Sequence, residues 1–152
     1  GDTGKGSAYS MVFSSSELID GLSVGYAMGQ IDSTGNGVSQ DSDTMWANWA
    51  AGAVTVGMQV GGVEETGQTE HSTTIIGVSF AVNDNLAISY QMMEDDYEKV
   101  GATDVTSEFD GISVSYTMGS LSIKGAKNSA NDVGGTVGAS DDNTELSLSV
   151  AF

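Results

Sequence analysis

Apolar and polar residues alternate with a period of two along most of this chain. Tyr9, Met11 and Phe13 fall on one side of an extended backbone, with Ser10 and Ser14 on the other. Leu22, Val24, Tyr26 and Met28 alternate with Ser23, Gly25, Ala27 and Gly29, and Val54, Val56, Met58 and Val60 with Thr55, Gly57, Gln59 and Gly61. The same rhythm runs through Ile76–Val82, Leu86–Met92, Ile112–Met118 and Leu146–Phe152. Alternation over such lengths predicts β-strands with one apolar and one polar face. Nine strands are expected, at 7–14, 21–31, 44–51, 53–63, 72–82, 86–95, 107–118, 120–127 and 143–152. The third is the least regular, because MWANWAA is apolar on both faces, and the eighth carries only Leu121 and Ile123 before Gly125.

The connections fall into two classes. SSELID (15–20), the Gly52 turn, NDN (83–85) and the Gly119 turn are short, whereas 32–43, 64–71, 96–106 and 128–142 are long, polar and mostly acidic. Short and long in alternation is the signature of an antiparallel meander with tight turns at one rim and loops at the other. No solenoid repeat or linker interrupts it, so a single domain over 1–152 is expected.

The polar faces are built from Ser, Gly, Thr, Ala and Gln. A face washed by bulk water would carry more Lys and Glu, as in a soluble sandwich. Ten apolar-faced residues tilted near 40° span about 25 Å, the height of the apolar band of an outer-membrane barrel. With odd-numbered strands running toward the short-turn rim, their last aromatics are Phe13, Trp49, Phe80, Tyr116 and Phe152. These are expected to form an aromatic girdle facing lipid at one membrane interface. At the other rim Tyr9 fits, Trp46 and Phe109 have the opposite parity, and Tyr97 is expected in a loop.

Composition narrows the function classes. The formal charge is −17, from 21 acidic and 4 basic residues. A nucleic-acid partner, which needs a basic face, is therefore not expected. No apolar run reaches the length of a transmembrane helix, and without cysteine there is no disulfide framework or thiolate metal site. The opening GDTGKGSAYS has no signal-peptide pattern and reads as the continuation of a longer chain.

Enzymatic chemistry finds no footing. GxSxG, HExxH and Walker-type loops are lacking. The one histidine, His71 in EETGQTEHS, is expected to be a solvated loop side chain. Carboxylates cluster at Glu94, Asp95, Asp96 and Glu98, at Asp141 and Asp142, and at Asp41 with Asp43. Oxygen-rich loops can hold Ca²⁺ weakly, but none of these has EF-hand spacing. They are expected to be solvated loop carboxylates, with no cofactor and no dedicated metal site.

The last ten residues, NTELSLSVAF, resemble the terminal strand of bacterial outer-membrane β-barrels, which ends in an aromatic with apolar residues at alternate positions upstream. Leu146, Leu148, Val150 and Phe152 match that pattern, and the resemblance implies that the barrel-assembly machinery reads them. FDGISVSYTMGSLSIKGAKN (109–128), followed by an acidic loop and TELSLSVAF, is similar to the carboxyl end of the general diffusion porins of alphaproteobacteria. NDNLAISY (83–90) looks like their tight periplasmic turn and next strand. Such porins are sixteen-stranded trimeric barrels that pass small hydrophilic solutes and ions. The chain is about half as long, so the resemblance implies the carboxyl half of such a barrel, with some seven amino-terminal strands and the pore-narrowing loop lying upstream. It further implies residence in the Gram-negative outer membrane, lipid contact, and a homotrimer when full length.

Strand parity nominates the lumen residues: Gln59, Gln91, Ser113, Ser115, Lys124 and Glu145, with Ser23 and Thr55 beside them. Excess negative charge suggests a preference for cations. Two alternatives remain open on sequence alone: a small eight-stranded anchor or adhesin whose first segment lies outside the sheet, and a secreted acidic Ca²⁺-binding β-protein whose apolar faces pack together in water.

Overall fold

A computed structural model describes residues 7–33, 38–65, 67 and 70–151. The chain is all-β. Nine strands follow one another as β1 (Ser7–Ser15), β2 (Leu22–Ser33), β3 (Val38–Ala51), β4 (Val54–Glu65), β5 (Glu70–Asn83), β6 (Leu86–Glu98), β7 (Val105–Met118), β8 (Leu121–Asn131) and β9 (Ser140–Val150). Each pairs antiparallel with its sequence neighbours, giving one open nine-stranded meander. A single 3-10 turn, Val133–Gly135, interrupts the β8–β9 connection.

All nine expected strands are present, and β1 belongs to the sheet, paired with β2 at nine positions. The extents differ at one rim. The ladder continues well past the apolar segments: β3 starts at Val38 rather than 44, β6 reaches Glu98, β7 starts at Val105, and β9 starts at Ser140. About half of the residues expected in long loops therefore belong to the hairpin ladder. Backbone pairing needs no apolar side chain, so it outruns the hydrophobic pattern. The acidic clusters at Asp41/Asp43, at 94–98 and at Asp141/Asp142 lie on strands, not in loops, and Tyr97 is a strand residue too.

At the opposite rim the turns are tight for identifiable reasons. Gly52 and Gly119 each take φ +59 as the first of two turn residues, a conformation that admits glycine without a Cβ penalty. In the β5–β6 turn the Asn83 side-chain carbonyl accepts the N–H groups of Asn85 (2.9 Å) and Leu86 (3.0 Å), an Asx turn.

The sheet is one layer thick. Among the described residues no apolar side chain is buried, and no helix is long and apolar enough to cross a membrane. Val78, Phe80, Tyr90, Ile112 and Leu148 are all exposed, Leu148 by 68%. A water-soluble domain of this size would bury such residues against a second layer. The two apolar faces that a sandwich needs are not there to meet.

Candidate functional site

The register separates two chemically distinct faces. One carries Leu22, Val24, Tyr26 and Met28 of β2 opposite Trp49, Ala47, Met45 and Asp43 of β3. It continues through Val56 opposite Val78, Phe80 opposite Ile88, Tyr90 opposite Ile112, Tyr116 opposite Ile123, and Ile123 opposite Leu148. Phe13 stands opposite Tyr26 on this face. Phe13, Trp49, Phe80 and Tyr116 thus lie on the apolar face, each within three residues of the tight-turn end of its strand. Leu146, Leu148 and Val150 share it; Phe152 lies outside the described residues.

The upper boundary of this apolar face is slanted. Its uppermost residue is Tyr9 in β1, Met28 in β2, Met45 in β3, Val60 in β4, Ile76 in β5, Met92 in β6, Ile112 in β7 and Leu146 in β9, with Gly125 on the same line in β8. Met45 faces Val60 and Ile76 faces Met92, but Ile76 sits two residues below Val60, and Ile112 two below Met92. Followed along the hydrogen-bonded rows, the boundary drops ten residues over eight strand-to-strand steps. That is about 34 Å along the strands for about 38 Å across them, so the strands tilt about 40° to the normal of the band. The strictly apolar run is seven residues in β4, β6 and β7 rather than ten, about 18 Å along that normal. Glu94 and Asp110 end it at the upper side.

The second face is small and polar, and it is the concave one: Gly77, Ser79, Ser113 and Ser115 are half-buried while their apolar neighbours Val78, Phe80 and Val114 are exposed. Every nominated lumen residue lies here. Gln59 stands opposite Trp46 and Ile75, Gln91 opposite Gly77 and Gly111, Ser115 opposite Ala87 and Lys124, Lys124 opposite Ser147, and Glu145 opposite Ala126. Ser113 pairs with Ser89, their hydroxyls 2.7 Å apart. Ser23 is opposite Asn48 and Thr55 opposite Ser79. An open hollow of about 520 Å³ lies on this face beside Trp46, Asn48, Gln59 and Gln91.

The two aromatics of opposite parity find their place here. Trp46 lies flat over Gly25, where a Cβ would come within 2.4 Å of the indole. Trp46, Gln59, Ile75, Met93 and Phe109 form one continuous hydrogen-bonded row across β3 to β7. The concave face is therefore not uniformly polar: parity put Trp46 and Phe109 on it, and the register joins them into one row.

His71 is not a solvated loop residue. It lies in β5 on the concave face, opposite Val63 and Tyr97. Its ring centroid is 4.7 Å from that of Tyr97, and its Nε2 is 3.6 Å from Asp95 Oδ1. The Thr73 hydroxyl donates to the same Asp95 oxygen at 2.5 Å. Above this cluster the β8–β9 connection folds over the concave face. Ser107 is fully buried beneath it; its hydroxyl donates to the Asp132 carbonyl and accepts the Gly135 N–H at 3.0 Å. Gly135 takes φ +68, and a Cβ there would come within 2.9 Å of the Tyr97 ring. The Lys99 ammonium donates to the Gly135 carbonyl, and its backbone N–H donates to the Asp104 carboxylate at 3.0 Å. No spacing in NSANDVGGTVGASDD could announce this fold-back, since its partners are Tyr97 on β6, Ser107 on β7 and Lys99 just past the end of β6.

The acidic residues divide between faces. Glu94, Asp96 and Glu98 point to the apolar side, above its boundary, and Asp95 to the concave side. Asp41 is directly opposite Glu64, Glu70 opposite Glu98, and Glu94 opposite Glu108. Among the described residues no three acidic or histidine side chains converge as a metal ion would require.

Comparison with protein-family models, curated proteins and solved structures finds no match.

Proposed function

We propose that this chain is the carboxyl half of a bacterial outer-membrane porin, a water-filled channel for passive diffusion of small hydrophilic solutes and ions. The observation that carries the reading is the slanted apolar band on a one-layer sheet. Strands in membrane barrels tilt 35–45°, and a flat hydrocarbon slab cuts tilted strands at a register that steps steadily from one to the next. A soluble sheet has no reason to keep a straight oblique boundary across nine strands. The band is thin, and the bacterial outer membrane is thinner than average.

In this reading the apolar face meets lipid and the concave face meets water. Gln59, Gln91, Ser113, Ser115, Lys124 and Glu145 line the lumen, and solutes are sorted by size and charge without covalent chemistry or a cofactor. Phe13, Trp49, Phe80 and Tyr116 sit at one interface. The terminal strand carries the assembly signal, and the complete protein assembles as a trimer, as the resemblance to general diffusion porins implies. The presence of β1 in the sheet counts against a small eight-stranded anchor. The single layer counts against a secreted sandwich.

The test is single-channel recording of the complete protein in a planar bilayer. Discrete, long-lived open steps with modest cation preference are expected; a protein that inserts but gives no steps is not a porin.

A further inference from the structure

The β8–β9 connection lies against the sheet. Residues 132–139 do not stand away from the sheet; they turn back over the concave face, cross β7 and reach Tyr97 on β6. Four independent contacts hold them there. Ser107 bonds the segment at both Asp132 and Gly135. Lys99 bonds the Gly135 carbonyl, and Gly135 rests on the Tyr97 ring. The Asp132 carboxylate accepts the Gly138 N–H at 2.5 Å and so closes the segment on itself. Ser107 is the one fully buried polar residue among those described, in a sheet that otherwise buries almost nothing. A residue without a side chain is required at Gly135, because both the positive φ and the Tyr97 ring exclude a Cβ.

We infer that residues 132–139 form a fixed lip on the lumen side of the wall, which narrows the mouth of the channel above β6 and β7 and limits the size of solute admitted there, in addition to the narrowing loop that the porin resemblance places upstream. This rests on the porin reading for its function but not for its geometry. The lip is placed by side chains of its neighbours: Tyr97 is its floor, Ser107 its anchor, and Lys99 a strap across it. The solutes it sorts are polyhydroxylated or ionic molecules near the size of the aperture. The lip adds main-chain carbonyls and amides with the Asp132 carboxylate and Thr136 hydroxyl, and its apolar side chains are Val133, Val137 and Ala139. Smaller ions would pass with little change.

The chain has no cysteine, so single cysteines report the lip directly in the complete protein in lipid vesicles. Ser107→Cys should react with a charged, water-soluble thiol reagent about tenfold more slowly than Gln91→Cys, as for a group exposed only when a closed segment opens. Adding Gly135→Ala to Ser107→Cys should raise its rate toward that of Gln91→Cys. In liposome swelling, Gly135→Ala and Lys99→Met should each admit oligosaccharides one or more residues longer than the wild type admits. Their relative gain should be smaller for monosaccharides. Equal labelling of Ser107→Cys and Gln91→Cys would show that the lip does not lie on the wall. Protected labelling with an unchanged size limit in both variants would show that it is not the size filter. A wild type that admits no solute while Ser107→Cys stays protected would remove the porin reading and, with it, the filter role.

Discussion

β6 and β7 pair without a break from Leu86–Tyr116 at one end to Tyr97–Val105 at the other, yet the two ends of this ladder have opposite surroundings on their apolar side. In the lower half, Ile88 faces Val114 and Tyr90 faces Ile112; in the upper half, Glu94 faces Glu108 and Asp96 faces Thr106. The backbone is the same, and its hydrogen bonds are equally satisfied. What changes, within one residue pair, is the solvent each side chain demands. Where the lower pairs are exposed, carbon is offered to the surroundings with no second layer to receive it. In the upper half Glu94 meets a second carboxylate, Glu108, which is tolerable only in water or among counter-ions, and Asp96 accepts the Thr106 hydroxyl. In the porin reading this boundary is where lipid gives way to water, and its slant of about 40° follows from the tilt of the strands.

The largest expected effect comes from placing charge below the boundary. Val78→Arg in the complete protein should cost about 2–4 kcal/mol of folding stability in lipid, whereas Ser72→Arg, on the same strand and face but above it, should cost no more than about 1 kcal/mol. Urea titration in vesicles measures both, and equal costs would erase the distinction between the halves. Deleting Phe152 comes next: the yield of heat-modifiable folded protein in cells should fall several-fold, and normal yield would count against the terminal strand as an assembly signal.

Smaller effects sharpen the picture of the concave face. Gly25→Val drives a side chain into the space of the Trp46 indole and should destabilise by about 1–3 kcal/mol, as overpacking does. The smallest effect is a gain. Glu108→Lys, opposite Glu94, should stabilise by about 0.2–1 kcal/mol at low salt, with the benefit fading as salt is raised.

The same division explains what the sequence could disclose. All nine strands were legible, because period-two alternation marks any strand with one apolar and one polar face. Their upper ends were not. Gln40 to Asp43 of β3 and Asp96 to Glu98 of β6 carry no alternation of hydrophobicity, since both faces there are polar, and they read as loops although their backbones are paired. Parity alone put the nominated lumen residues together on the small, polar face of the sheet, since each lies an even number of positions from a small residue on the same strand. The grouping of His71, Asp95 and Tyr97 escaped notice for a different reason. They come together through the β5–β6 register, across 26 residues of sequence from His71 to Tyr97, and no local pattern encodes that. Trp46 and Phe109 looked misplaced until the row linking them across five strands was visible.

The account stands on which face meets hydrocarbon. The most direct measurement is nitroxide scanning of β4 and β6 in the complete protein in bilayers, comparing collisions with molecular oxygen and with a water-soluble paramagnetic chelate. Labels at Val56, Met58, Ile88 and Tyr90 should collide with oxygen and be shielded from the chelate. Labels at Thr55, Gln59, Ser89 and Gln91 should meet the chelate freely. Chelate access on both faces, or shielding from both reagents at Met58 and Tyr90, would contradict it.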